Sequence, residues 1–213
     1  DAPPPHCFIH TGILAQAPDR YLRAGMGDTV AKHFECCFSS RGDQLDHSSA
    51  LGREISNLCY GPLLDCGQQA LDDCKKDSDT PALREAVLAN VVTTGLVSLL
   101  VEERYNGAVA HSVCYGLSVI PEVEKNFLHG DIVAYGILVQ LMLDKDREQA
   151  SVLRDFLKGM GTPVTLADFG LPNDDALLAP VIEKALSSSD MEYLPYPVTG
   201  DMLRAAITAV EEL

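Results

Sequence analysis

The sequence predicts an all-α fold, a single multi-helix bundle spanning residues 1–213. Three observations carry that reading. Segments with apolar residues at helical spacing succeed one another about every twenty residues, while period-two alternation is almost absent. Helix punctuation recurs along the chain, with Thr80-Pro81, Asn173-Asp174 and Thr199 as start signals and Gly107 and Gly161 as stops. Hydrophobic residues make up 46% of the 213 residues, enough for a packed core, and there is no internal repeat or low-complexity tract.

Taken in order, a Pro-rich start (Pro3, Pro4, Pro5) precedes a helical stretch that Pro18 opens and that runs towards Ser40. Gly25-Met26-Gly27-Asp28 reads as a break in it, with Asp28 capping a second piece that begins at Thr29. This Gly-rich tetrad imitates half of a dinucleotide fingerprint but lacks the third Gly and a preceding strand. Glu35, seven residues on, reads as part of the same helix start or as a buried polar contact. Residues 43–75 are helix-like, with breaks expected at Gly52, Gly61 and Pro62. Thr80-Pro81 opens a helix expected to reach about Arg104. An apolar helix follows towards Ile120-Pro121, then one over 129–144 and an amphipathic one over 146–160 that Gly161 and Pro163 stop. Asn173-Asp174 caps a helix to about Ser187, and Thr199 with Asp201 starts the last. Eight to ten helices are expected.

Sixteen Lys and Arg against 31 Asp and Glu give a net charge of −15. Phosphate binding needs concentrated basic surface, so nucleic acid is excluded as a partner, and so is attraction to an anionic membrane. No uninterrupted apolar run reaches the roughly 18–20 residues that span a bilayer. The longest apolar-rich segment, 86–101, is interrupted by Asn90, Thr93, Thr94 and Ser98. Seven cysteines without a CxxC pair suit buried thiols in a reducing compartment, hence a cytoplasmic location. Asp72-Asp73, Glu102-Glu103, Asp174-Asp175 and Glu211-Glu212 read as solvated helix faces, and His6, His33 and His47 as surface positions. The chain starts at Asp1 rather than Met, which reads as a fragment or a processed product.

Two histidines have unusual surroundings. His111 lies in an uncharged run, Gly107-Ala-Val-Ala-His-Ser-Val-Cys-Tyr-Gly-Leu, and His129 in Phe127-Leu-His-Gly-Asp-Ile-Val-Ala-Tyr-Gly at an expected helix start. They are 18 residues apart across a Pro-containing connection, which suits two helices of a hairpin that bring both imidazoles together. Neutral imidazole is a common ligand for zinc and iron, although a satisfied core histidine at each place fits the same spacing.

The segments AHSVCYGL and FLHGDIVAYG resemble the two metal-binding segments of the iron-containing alcohol dehydrogenase superfamily, nearest its glycerol dehydrogenase branch. The stretch TGILAQAPDRYLRAGMGDTVAKHFE and the C-terminal MEYLPYPVTGDMLRAAI resemble the same family, so the likeness covers essentially the whole chain. It implies the helical, metal-binding domain of that fold, shared with dehydroquinate synthase, and an N-terminal α/β domain that binds NAD or NADP and is absent here. It implies a divalent metal, zinc or iron, held by one Asp and two His, with His111 and His129 as the histidines. Counting eight residues back from the Pro of the Ala-Pro turn, here Pro18, puts His10 at the place of the Asp. His10 then either serves as a third ligand, or stands free beside a weak site, or marks a degenerate relative. The family commonly carries a second, non-liganding histidine where this chain has Cys114, three residues after His111.

The resemblance further implies hydride transfer from a metal-bound hydroxyl of a small alcohol or polyol. The isolated chain is expected to be inactive, and an apolar face left by the absent domain would favour homo-oligomers. The alternatives are a dehydroquinate synthase-like lyase domain and a metal-free interaction domain.

Overall fold

In the computed structural model, which describes residues 6–213, the chain is helical throughout and no strand is found among the described residues. The Pro-rich start at Pro3, Pro4 and Pro5 lies outside them. Twelve α-helices follow one another: α1 (Thr11–Leu14), α2 (Asp19–Ser39), α3 (His47–Ile55), α4 (Gly61–Cys74), α5 (Pro81–Leu88), α6 (Thr94–Leu100), α7 (Val109–Leu117), α8 (Pro121–Asn126), α9 (His129–Leu143), α10 (Arg147–Gly159), α11 (Asp175–Leu186) and α12 (Gly200–Glu211). Four short 3-10 turns, Ser56–Cys59, Glu103–Tyr105, Ala167–Phe169 and Ser189–Met191, lie in the connections.

The centre of the bundle is α9. Of its 15 residues all but His129 and Met142 are buried, and it is apolar on every side, as a helix surrounded by others must be. Helices α2, α7, α10 and α12 pack around it, and α11 packs on α7. The expected start signals operate as side-chain caps. Thr80, Asp174 and Thr199 each accept the backbone N–H three residues on, from Leu83, Leu177 and Met202.

Several expectations are corrected. First, α2 is one uninterrupted 21-residue helix, so Gly25 to Asp28 is no break. The two glycines serve helix contact instead. A Cβ on Gly25 would meet the Asn90 amide at 2.7 Å, and one on Gly27 would meet the Gly130 carbonyl oxygen at 2.6 Å. Second, Gly52 sits inside α3, where only a missing Cβ accommodates Val101. Third, Asp73 is buried rather than solvated, because it accepts hydrogen bonds from Gln69 Nε2 (2.7 Å) and Thr80 Oγ1 (2.6 Å), tying α4 to the start of α5. Fourth, His33 is half-buried, stacked on Tyr60 and 2.9 Å from Ser56 Oγ.

The helix opened at Thr80 ends at Leu100 rather than near Arg104. It is continuous from α5 through a π turn (Ala89–Thr93) into α6. That makes a 20-residue run which, by length and composition alone, suffices to cross a bilayer, contrary to the sequence expectation. It lies along the bundle with Leu83, Ala86, Val87, Ala89 and Val97 buried, and with Leu88, Val91, Val92, Leu96 and Leu99 exposed.

Candidate metal centre

Three helices bring Asp28, His111 and His129 together. One ligand-capable atom from each lies within 4.8 Å of the other two. His111 Nε2 is 3.4 Å and His129 Nε2 3.8 Å from Asp28 Oδ1, and the imidazole centroids are 5.3 Å apart. The hairpin arrangement expected for the two histidines is what the structure has, with α7 and α9 as its arms.

Small residues at the helix crossings set these positions. Where α2 crosses α9, Gly27 faces the Gly130 backbone and Gly130 faces the Ala24 carbonyl so closely that no side chain fits between. Asp28 and His129 are the immediate neighbours of these two glycines. Where α7 crosses α9, a Cβ on Gly136 would lie 2.9 Å from the Ala110 backbone carbonyl carbon, and Ala110 is the neighbour of His111. Each candidate ligand therefore stands one residue from a backbone-to-backbone contact, where helix separation has least freedom to vary. The start of α9 is fixed as well. Asp131, 1% exposed, forms a bidentate pair with Arg23 of α2 (3.0 and 3.1 Å) and accepts the Leu128 N–H.

Behind His111 lies Glu35, fully buried and two turns after Asp28 on α2. One carboxylate oxygen accepts the backbone N–H groups of Ala108 (2.8 Å) and His111 (2.9 Å), and the other is 2.5 Å from His111 Nδ1. A carboxylate can only accept, so Nδ1 carries the hydrogen and Nε2 is left facing Asp28. This is the carboxylate–histidine arrangement that orients metal-ligating imidazoles. His129 has a different partner, the Cys114 sulfur 3.4 Å from its Nδ1.

The electrostatics favour a cation. Burial alone would raise the Asp28 carboxyl, but the hydrogen bond to His111 and the charges of His111, His129 and Lys32 hold it below the usual carboxylate range. Burial alone would depress His111, but Glu35 and then Asp28 push it up to about 10. Burial holds His129 below its ordinary value. The pocket thus surrounds one imidazole with two carboxylates. One oxygen and two nitrogen donors, backed by a buried carboxylate, fit a borderline divalent ion such as zinc or iron(II). Exposure rises from His111 (15% of its side chain) to Asp28 (42%) and His129 (52%), so the cluster opens to solvent on one side.

His10 is not brought to this cluster. It precedes α1, and its Nδ1 accepts the Ile13 N–H at 3.2 Å, as the cap of that short helix. The carboxylate in the cluster is that of Asp28, within the tetrad read as a helix break, whereas the sequence count put His10 at the place of the family's Asp. The seven-residue interval from Asp28 to Glu35, two helical turns, is the signal that could have found both on one face of α2.

No family model matches the chain. Among curated proteins it is similar to the glycerol dehydrogenase of Thermotoga maritima, 35% identical over 211 residues, and to hydroxycarboxylate dehydrogenase A of Escherichia coli, 36% identical over 207. Each alignment covers 96% of this chain and 57% of the relative. Among solved structures it is similar to a probable glycerol dehydrogenase from Sinorhizobium meliloti, with a TM-score of 0.83 at 30% identity over 95% of this chain and 57% of that one. The chain spans a little over half the length of the curated relatives it matches.

Proposed function

The chain belongs to the glycerol dehydrogenase family, as the C-terminal helical part of that fold, and from this premise we propose that it is the metal-holding part of an NAD(P)-dependent dehydrogenase of small alcohols or polyols. Asp28, His111 and His129 hold the divalent cation, zinc or iron. The observation that supports this most directly is the convergence of their ligand atoms within 4.8 Å, with Glu35 aiming one imidazole. When bound, such a cation supplies Lewis acidity, which makes a substrate hydroxyl a stronger acid.

The chain's own residues do the positioning. Glu35 keeps the hydrogen on His111 Nδ1, so that Nε2 stays available as a donor. Asp28 contributes the negative charge that offsets the cation. The exposed edge of His129 and Asp28 leaves an approach for a small hydroxyl compound. In this proposal NAD or NADP is bound mainly by an N-terminal α/β domain, corresponding to the part of the relatives that the chain does not match. No observation favours the lyase alternative, whereas both curated relatives are named as dehydrogenases.

Metal content tests the proposal. The purified chain, loaded with zinc or iron(II) and desalted, is expected to retain about one ion. Asp28→Ala, His111→Ala and His129→Ala are each expected to lose it, and His10→Ala to keep it. Equal metal retention in all four variants would rule out this ligand set.

A further inference from the structure

The two histidines of the cluster are backed unequally. His111 donates to a buried carboxylate, whereas among the described residues the His129 ring meets only Asp28 on one nitrogen and Cys114 on the other. Cys114 is 1% exposed and lies three residues beyond His111, on the same face of α7. Helix α7 therefore supplies one candidate ligand and the support of another. The Cys114 sulfur is 3.4 Å from His129 Nδ1, and its S–H is directed at the His129 carbonyl at 3.9 Å. With the S–H engaged there, the sulfur lone pairs face the imidazole and can accept a hydrogen.

We infer that Cys114 is a positioning residue for His129: its sulfur accepts the Nδ1 hydrogen and so fixes the tautomer in which Nε2 faces Asp28 and His111. The inference rests on the reading of Asp28, His111 and His129 as the cation's ligands. His129 is the first residue of α9 and half exposed, and among the described residues the Cys114 sulfur is the hydrogen-bonding partner of its Nδ1. A neutral thiol is a weaker acceptor than a carboxylate, so the pocket holds one firmly oriented histidine and one lightly held by sulfur.

Zinc affinity, measured by competition with a chromophoric chelator on the whole 213-residue chain, tests this together with the ring tautomer of His129 read by nitrogen-15 NMR. In the zinc-free wild type, where no metal dictates the tautomer, Nδ1 of His129 is expected to carry the hydrogen. Cys114→Ser retains an acceptor and should keep both the tautomer and the affinity to within a few-fold. Cys114→Ala should weaken zinc by about 10–100-fold, the usual effect of removing such a partner, and release the tautomer. Melting of the zinc-free variants checks the fold. If Cys114→Ala does not fold, Cys114→Val fills the space without an acceptor and is measured in its place. Wild-type affinity and tautomer in the acceptor-free variant, with His129→Ala still impaired, would overturn this inference alone. Wild-type zinc binding in both His111→Ala and His129→Ala would overturn the ligand assignment and this inference with it.

Discussion

Gly27 of α2 and Gly130 of α9 meet where their helices cross, so closely that a Cβ on Gly27 would lie 2.6 Å from the Gly130 carbonyl oxygen. Asp28 and His129, the residues beside them, are two of the three candidate ligands. The distance between those ligands is thus a consequence of the absent Cβ atoms, and backbone cannot yield as a flexible side chain would.

Gly27→Ala should therefore strain the α2–α9 crossing and part Asp28 from His129. An overpacked core position costs about 1–3 kcal/mol, and zinc affinity should fall with it. Gly95, inside α6 with nothing within 4 Å of a Cβ, is the control. Gly95→Ala is expected to gain about 0.5–1 kcal/mol from helix propensity. Urea unfolding and a zinc titration measure both. A wild-type midpoint for Gly27→Ala would show that the crossing is not constrained as described.

Glu35→Gln keeps size and removes charge. Its amide oxygen can serve the Ala108 and His111 N–H groups, which leaves the NH2 group facing His111 Nδ1. Two donors then meet, and the imidazole relieves this by moving its hydrogen to Nε2, where it blocks ligation. Zinc affinity should drop by about 10–100-fold. Competition with a chromophoric chelator measures the drop, and wild-type zinc affinity in the variant would contradict the argument.

What the sequence made legible follows the reach of the interactions. Thr80, Asp174 and Thr199 announce their helices because a cap involves only the next three residues. His111 and His129 stand out because their flanks carry so little charge. Asp28 was hidden because Gly25 and Gly27 lower helix propensity locally, and only α9 and Asn90, far along the chain, show why glycine is needed there. His10 was misplaced for the related reason that a count from Pro18 measures distance along the chain, while the cluster is assembled across three helices. Glu35 was legible as a buried polar contact, but its partner His111 lies 76 residues away.

Asp168 provides a pH test remote from the cluster. Its carboxylate accepts the N–H groups of Val164 and Thr165, both at 2.9 Å. Burial would raise its pKa, but these bonds outweigh it and hold the group below the usual carboxylate value of 3.8. A depressed folded value means that the stabilisation is present above the unfolded pKa and is lost as pH falls through the folded one. Asp168→Asn keeps an oxygen that accepts both N–H groups and removes only the charge, so it should cost about 1 kcal/mol at neutral pH, the difference between a charged and a neutral acceptor. The gap between variant and wild type should close as pH falls below about 4, near the unfolded carboxylate pKa. A gap that is independent of pH would place the effect elsewhere than in the charge.

The 213-residue chain by itself should take up zinc at Asp28, His111 and His129 yet show no NAD-dependent oxidation of glycerol or other small diols. Hydride needs an acceptor held against the substrate carbon, and an acceptor diffusing freely forgoes the effective concentration that a binding site provides. Among the described residues no strand is followed by a Gly-rich loop, and in the tetrad that imitates such a loop Gly25 and Gly27 are taken up by contacts with Asn90 and α9. Nicotinamide absorbance in the presence of the zinc-loaded chain measures turnover, and NAD binding by calorimetry measures its cause. Zinc uptake with neither signal is the expected result. Turnover that survives in the wild type and vanishes in His111→Ala would show that this helical part binds the nucleotide unaided, against the proposed division of labour.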